Sequence, residues 1–296
     1  MKIWKFGVLC AALALSGVGQ VWAKPPMEAF SDLPGVRAAE LSPDGKRVAF
    51  LQRIEGEDYL AMHDFETQTS KALLRAAQLR ARALEFVGND HVLLIASKTA
   101  RQFGFRGRFE MSAAFSYNLT TGKFVQLLSN TKGLFPAQSG IGNIVGVDPD
   151  GLHVYMPAFT SESMQSPPLE LFKVNLDTGR GTPVGRGANS GTIDWITDGK
   201  GAILVREDFS EKRQEHSIRA FASRNDRVIF SSKGAALGIS LVGVSSKGDR
   251  LIVGDEGDAD FFSLREMTLA DGEVKGAILQ RENAEVQGVL ADSNRV

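Results

Sequence analysis

The side chains best suited to acid–base catalysis or metal binding in this sequence are four histidines, His63, His91, His153 and His216. The middle two occupy equivalent places in two internal repeats, where other copies of the repeat carry Arg47 and Arg250. A position that accepts either His or Arg is expected to have a structural role. The first histidine falls in a predicted strand and the last in a predicted charged loop, and neither has a partner at metal-ligand spacing. The histidines therefore predict no catalytic or metal site.

An acidic stretch and a pair of serines are the other candidates for chemistry. The stretch GDEGDAD, residues 254–260, gathers carboxylates of the kind that calcium prefers, but its spacing differs from that of a calcium-binding loop. We interpret it as a solvated loop tip. The sequence contains no Gly-x-Ser-x-Gly motif, and GVSSKG at 243–248 has the wrong spacing and lies in a predicted hairpin. We therefore expect no catalytic residue, no metal and no cofactor.

A further candidate is RQFGFRGRF, residues 101–109, in which Arg101, Arg106 and Arg108 are interspersed with phenylalanines. Such residues could stack bases and pair phosphates, but the formal net charge of −1 argues against nucleic acid. Two interpretations remain. Either the phenylalanines pack on the scaffold while the arginines stay hydrated, or the arginines contact a peptide carboxylate or a neighbouring domain. The second makes these three arginines the candidate contact residues.

The scaffold that must position these side chains is a repeated unit. Each copy begins with an apolar residue, a tight turn rich in Asp, Gly, Asn or Ser, and a second apolar run, which is the pattern of a β-hairpin. The copies are LSPDGKRVAFL from Leu41, FVGNDHVLLI from Phe86, VDPDGLHVYM from Val147, ITDGKGAILV from Ile196 and VSSKGDRLIV from Val244.

A second hairpin with alternating polar and apolar residues follows in each unit. These hairpins span residues 59–74, 115–128, 171–184, 218–230 and 263–279. Four strands repeated at about 40 to 50 residues are the signature of a β-propeller blade. The sequence therefore predicts an all-β fold, a β-propeller with five recognisable four-stranded blades and the start of a sixth.

The connections of such a meander separate into two faces. The short turns share one face, while the connections between second and third strands share the other face with the links between blades. Long loops are predicted at 97–113, 157–168, 208–215 and 255–261. We expect binding residues on this second face, because propeller function is usually carried by variable loops on a rigid scaffold.

Three stretches resemble a known family. AFSDLPGVRAAELSPDGKRVAFL at 29–51 resembles the opening of the amino-terminal propeller in exported bacterial serine peptidases of the prolyl oligopeptidase (S9) family, and the hairpins at 115–128 and 169–180 resemble its later blades. The resemblance implies a propeller that filters access to a following α/β-hydrolase domain carrying the serine, aspartate and histidine. Because the nucleophile motif is missing, no catalytic residue carries over. Ser-Pro-Asp-Gly hairpins also mark TolB-like periplasmic propellers.

The amino terminus has the pattern of an export signal. Lys2 and Lys5 precede an apolar run, and VWA at 21–23 forms a cleavage site. We predict a signal peptide over 1–23, a lead-in segment over 24–40 and an incomplete propeller over 41–296. No apolar run is long enough for a membrane span. The protein is therefore expected to be exported, to the periplasm or the medium, after cleavage near Ala23.

The stretch VLADSNRV, residues 289–296, repeats the start of a unit and is interpreted as the first hairpin of a sixth blade. An unfinished propeller leaves strand edges and an apolar blade face exposed, so self-association through that open edge is expected. The leading hypothesis is the propeller portion of an S9-like exported peptidase, which binds or gates peptides and whose partner is a missing α/β-hydrolase domain. The alternative is a stand-alone TolB-like periplasmic propeller that binds a peptide or protein ligand as a scaffold.

Overall fold

The computed structural model describes residues 35–296 except 77–78, 102–105, 136–137, 139–140, 161–166, 189–190, 222–225, 235–236, 256–260, 285 and 293. One compact unit, Val36–Val296, contains every strand of the described residues. The predicted signal peptide and most of the lead-in segment lie outside the described residues. In the part of the chain that is described, no helix is long and apolar enough to cross a membrane.

The fold consists of five four-stranded antiparallel sheets, each made of consecutive strands in the order first, second, third, fourth. The predicted all-β propeller with four-stranded blades is confirmed. The strands are β1 Val36–Leu41, β2 Arg47–Ile54, β3 Glu57–Asp64 and β4 Thr69–Arg75 in blade 1; β5 Arg80–Val87, β6 His91–Ala100, β7 Phe109–Asn118 and β8 Phe124–Gln126 in blade 2; β9 Gly146–Val147, β10 His153–Phe159, β11 Leu169–Asn175 and β12 Gly181–Gly185 in blade 3; β13 Thr192–Thr197, β14 Ile203–Ser210, β15 Glu215–Ala220 and β16 Arg227–Lys233 in blade 4; and β17 Ser240–Val244, β18 Arg250–Asp255, β19 Ser263–Thr268 and β20 Val274–Leu279 in blade 5.

The turn between the first and second strands has the same form in three blades. The glycine N–H donates to a carbonyl three residues earlier at Gly45, Gly151 and Gly248, with distances of 2.8, 3.0 and 2.8 Å. Their φ angles of 72°, 67° and 71° lie in the left-handed region that glycine adopts without steric cost. In these three blades, the repeated Gly of the sequence therefore specifies the turn that joins the first strand to the second.

Two of the predicted long loops are shorter than expected. The ladder of β6 and β7 continues to the pairs Thr99 with Glu110 and Ala100 with Phe109, and that of β14 and β15 continues to Ser210 with Glu215. Charged side chains on these strand ends face solvent, where a strand accepts them as readily as a loop does. A run of charged residues is therefore not enough to predict where the strands of these two hairpins end.

Four clusters of buried apolar side chains hold the blades together. They join blades 1 and 2 (around Leu51), 2 and 3 (around Met156), 3 and 4 (around Trp195), and 4 and 5 (around Val253). No cluster among the described residues joins blade 5 to blade 1. On β1, Val36 and Leu41 are 54% and 55% exposed, which agrees with an array that is open on one side. Self-association through this side stays a prediction.

Residues 289–296 do not form the predicted sixth-blade hairpin. A turn is present, because the Arg295 N–H donates to the Asp292 carbonyl at 2.8 Å, but neither flank of the turn is a strand. The physical reason is that the unpaired backbone edges of β13 and β17 offer this segment other hydrogen-bond partners.

Candidate functional site: the central channel

The three candidate arginines lie on the connection between β6 and β7, on the face that the meander geometry predicts. Arg101, Arg106 and Arg108 are all exposed, and the Arg108 guanidinium donates to the Thr99 carbonyl at 3.3 Å. Residues 102–105 lie outside the described residues, and so does the predicted packing of two of the phenylalanines. A peptide or interdomain contact at these arginines stays a prediction.

His91 and His153 make the structural contacts that their repeat position predicts. Buried His91 places Nε2 at 3.0 Å from the Asp177 carboxylate of blade 3, and the His153 Nδ1 lies 2.7 Å from Asp150. At the equivalent position in blade 1, the Arg47 guanidinium donates to the Asn89 carbonyl of blade 2 at 2.5 Å. Each of the three side chains thus contacts a residue in a hairpin turn, of the next blade for Arg47 and His91 and of its own blade for His153.

The prediction that His216 lies in a charged loop is wrong. His216 is in β15, is fully buried, and places Nε2 at 2.8 Å from the carboxylate of Glu207, which is itself 4% exposed. Its ring meets Phe230 edge to face at a centroid distance of 5.6 Å. The alternation of β15 could have indicated this, because His216 and the core residue Ile218 lie on the same face.

The acidic stretch contributes one described carboxylate. Asp255 ends β18, where its carboxylate lies 3.5 Å from the Arg265 guanidinium, and 256–260 lie outside the described residues. Within the described residues, no group of three His, Cys, Asp or Glu side chains could hold a metal ion.

The first strands of the blades surround the axis of the propeller, and the described residues of the segment 291–296 lie among them. A cavity of about 450 Å³ at this place is lined by Glu40 and Leu41 of β1, by Leu84 to Phe86 of β5, and by Asp292 and Arg295. The other lining residues are Pro43 in the turn after β1, Ile144 before β9, and Ala291. This central channel therefore holds a segment of polypeptide, which the sequence did not predict.

Arg295 anchors the segment to blades 4 and 5. Its guanidinium pairs with the Asp194 carboxylate of β13 at 2.5 Å and donates to the Leu241 and Val242 carbonyls of β17 at 3.0 and 3.2 Å. Its own carbonyl accepts the Val244 N–H at 2.9 Å. An innermost strand exposes one backbone edge, and a guanidinium with five donors can satisfy several such groups at once.

Asn294 extends the anchoring to blade 3. Its side-chain oxygen accepts the Val147 N–H of β9 at 2.7 Å. Close approach of the segment requires glycine on the opposing strand, because a Cβ at Gly243 would overlap the Arg295 carbonyl oxygen. The channel thus recognises the segment as a peptide site would, through main-chain bonds, one ion pair and close packing against bare backbone.

The channel wall on the side of blades 1 and 2 is acidic. Glu40 and Glu85 line it together with Asp292 of the segment. Glu40 remains open to water, yet desolvation by the surrounding walls raises the pKa of its carboxyl. Carboxylates on this wall and Asp194 on the opposite one favour a cationic side chain in the channel. Arg295 is such a side chain.

No family model and no curated protein matches this sequence. Solved structures do resemble its fold. One structure from a structural and mechanistic analysis of two prolyl endopeptidases gives a TM-score of 0.53 at 12% identity, with 84% of this chain and 37% of the other covered. An oligogalacturonate lyase in complex with manganese gives 0.50 at 13% identity, with 82% and 65% covered. TolB from Acinetobacter baumannii gives 0.43 at 14% identity, with 81% and 56% covered.

The chain therefore spans from 37% to 65% of the length of these structures. TM-scores of 0.53 and 0.50 at 12 and 13% identity establish a shared fold and leave the chemistry open, because one fold hosts many functions. At the level of the fold, the chain is a β-propeller similar to the propellers of S9 peptidases.

Proposed function

We propose that this chain is a β-propeller that binds or gates peptides in its central channel and does not hydrolyse them. We further propose that it is the propeller portion of an exported S9-like serine peptidase. The observation that carries the first proposal is the anchored segment 291–296, whose residues contact the inner strands of three blades.

The contacts in the channel are of a kind that a separate peptide could make. Val244 donates to a main-chain carbonyl, so this bond is independent of the side chain that follows it. The Arg295 ion pair with Asp194 adds selectivity for a cationic residue, because a guanidinium matches a carboxylate geometrically. The channel is therefore expected to prefer a peptide that presents a basic residue at the end of a tight turn, as Arg295 does.

The peptidase setting is supported by the resemblance and by one solved relative. In the two prolyl endopeptidases, inter-domain dynamics have a role in catalysis and specificity. The sequence of this chain has no Gly-x-Ser-x-Gly motif, and nucleophilic chemistry would have to come from another domain. Reading the coding DNA beyond Val296 tests this: an unrelated gene after a stop codon would contradict the peptidase setting.

The alternative is a self-contained propeller of the TolB kind, which serves as a binding scaffold. It would use the same inner-strand groups that hold Asn294 and Arg295. Both functions use the same channel, so the binding experiment applies to each.

The test uses fluorescein-labelled VLADSNRV and fluorescence anisotropy. In the natural chain the segment 291–296 competes with the added peptide, so weak binding is expected. Arg295→Gln removes the ion pair and should release the segment, which makes the channel available and increases peptide affinity. Adding Asp194→Asn to that variant should weaken binding again. Equal affinities for all three proteins would contradict a peptide site in the channel.

A further inference from the structure

The cleft between blades 3 and 4 is closed only in its inner half. There, Tyr155 and Leu171 of blade 3 pack against Trp195 of blade 4. The outer strands leave two cavities of about 370 and 430 Å³, one lined by blade 3 and the other mainly by blade 4. This open half is outside the central channel and shares no lining residue with it.

The strand register shows that the two cavities line opposite walls of one cleft. On blade 3, Lys173 pairs with Tyr155 and with Thr182, so all three lie on the side that packs against blade 4. On blade 4, Arg206 pairs with Trp195 and with Arg219, so these lie on the side that faces blade 3.

The blade 4 wall contains a rigid, neutralised arginine. The Arg206 Nε lies 2.9 and 3.0 Å from the two Asp208 oxygens, and Nη1 donates to the Arg186 carbonyl at 2.7 Å. Thr192 donates to the same carboxylate at 2.6 Å. The guanidinium also lies 5.8 Å from the Trp195 ring centroid. With all these partners, Arg206 shapes the wall and has little capacity left for a ligand.

Two other arginines on the walls have unused capacity. Arg219 has its nearest carboxylate, the 60% exposed Asp226, at 3.6 Å, and within the described residues Arg180 makes no ion pair. Arg180 follows β11 and Arg219 lies near the end of β15. Both are third strands and run in the same direction, so the two guanidinium groups lie at the same end of the cleft.

The remaining lining indicates the class of ligand. The two cavities are lined by five Lys or Arg side chains and two carboxylates. Hydroxyl groups such as those of Ser217 and Thr182 line the same walls, and Val184 and Val228 are exposed at 43% and 46%. Among the described residues, no Phe, Tyr or Trp side chain lines either cavity, so they offer a sugar ring no aromatic face to stack on.

We propose that the cleft between blades 3 and 4 binds an extended acidic peptide, whose carboxylates pair with Arg180 and Arg219. An extended peptide that runs across this end of the cleft points alternate side chains into it, so acidic residues at every second position reach the arginines of both walls. The small residues between them point away from the cleft. This site is distinct from the channel, whose walls are acidic and favour a basic residue.

The test is fluorescence anisotropy with the full chain and fluorescein-labelled Gly-Glu-Ser-Glu-Gly-Glu. The matched probe replaces each Glu with Gln. Arg180→Gln and Arg219→Gln should each weaken binding of the acidic probe about fivefold, which is typical of one partly exposed ion pair. Arg281→Gln, which changes an exposed arginine after β20, should leave binding unchanged. Arg295→Gln should also leave it unchanged, which separates this site from the channel.

Two measurements keep the result interpretable. The thermal unfolding midpoint of each variant verifies that it is folded. The salt dependence of peptide affinity in the natural chain gives a readout without mutation, because raising the ionic strength should weaken binding. Equal binding of the Glu and Gln probes would overturn the proposal. Unchanged affinity in the Arg180→Gln/Arg219→Gln double variant would also overturn it, as would binding of polygalacturonate in preference to the peptide.

Discussion

Acid should destabilise this propeller through Asp148, which lies in the turn between β9 and β10. Asp148 is 8% exposed and accepts bonds from the Lys173 ammonium at 2.5 Å and the Tyr155 hydroxyl at 2.6 Å. Burial by itself would raise the pKa of this carboxyl, but the bonds from Lys173 and Tyr155 outweigh it and lower the pKa from 3.8 to about 2. Burial and the Asp148 charge raise the pKa of Tyr155, which stays a neutral donor.

The sign of the effect follows from the direction of the shift. A carboxyl whose pKa is lower in the folded state stabilises the fold above its unfolded pKa, and this stabilisation is lost as the pH falls through the folded pKa. At 1.36 kcal/mol for each pKa unit, Asp148 contributes about 2 kcal/mol to the free energy of unfolding near neutral pH. About 1 kcal/mol of this should be lost between pH 6 and pH 3.

Urea unfolding followed by Trp195 fluorescence measures this contribution. In a chain that lacks residues 1–23, Trp195 is the sole tryptophan, and it is fully buried in the cluster between blades 3 and 4. We expect Asp148→Asn to lower the free energy of unfolding at pH 6 and to flatten its decline towards pH 3. Asp90→Asn, at an exposed turn carboxylate, is the control. Parallel pH curves for the natural chain and Asp148→Asn would refute the reasoning.

Three further predictions concern the core, the channel and catalysis. His216→Leu leaves the buried Glu207 carboxylate without its partner and should lower the free energy of unfolding by about 3 to 5 kcal/mol. The Glu207→Leu/His216→Leu double variant should recover much of this loss. If urea unfolding shows that the losses of the two single variants add up in the double variant, the prediction is contradicted. Gly243→Val should expel the channel segment and speed tryptic cleavage after Arg295. Gly276→Val, at a position with open space around it, should leave the cleavage rate unchanged. Equal cleavage rates in the two variants would argue against close packing of Arg295 on Gly243. The purified chain should not react with a fluorophosphonate serine-hydrolase probe, and stoichiometric labelling would show a nucleophile that the sequence conceals.

The hairpins could be predicted from sequence because their causes are local. Gly45, Gly151 and Gly248 each end a tight turn at positive φ, and the apolar run after each turn forms a strand whatever the rest of the chain does. The repeated spacing of these signals then identifies the blade. The turn at 292–295 belongs to the same class, and this is why VLADSNRV resembles the start of a blade.

The contacts between distant segments could not be predicted from the sequence. His216 looks like part of a polar loop until β14 and β15 pair and place it against Glu207 in the core. The destination of Arg295 depends on the edges of β13 and β17, which lie about 100 and 50 residues away along the chain, respectively. Such pairings depend on how the blades are arranged around the axis, and local propensity has no information about it.

Amide hydrogen exchange at Val147 and Val244 tests the central claim most directly. Both N–H groups lie on inner strands and donate to the channel segment, at 2.7 and 2.9 Å. We predict slow exchange of both amides in the natural chain and exchange at least tenfold faster in Arg295→Gln. Adding the peptide VLADSNRV to that variant should restore the protection. Exchange of the Leu251 amide, in the core strand β18, should be the same in all of these samples. Unprotected exchange at Val147 and Val244 in the natural chain, or no protection by the added peptide, would contradict peptide binding in the channel.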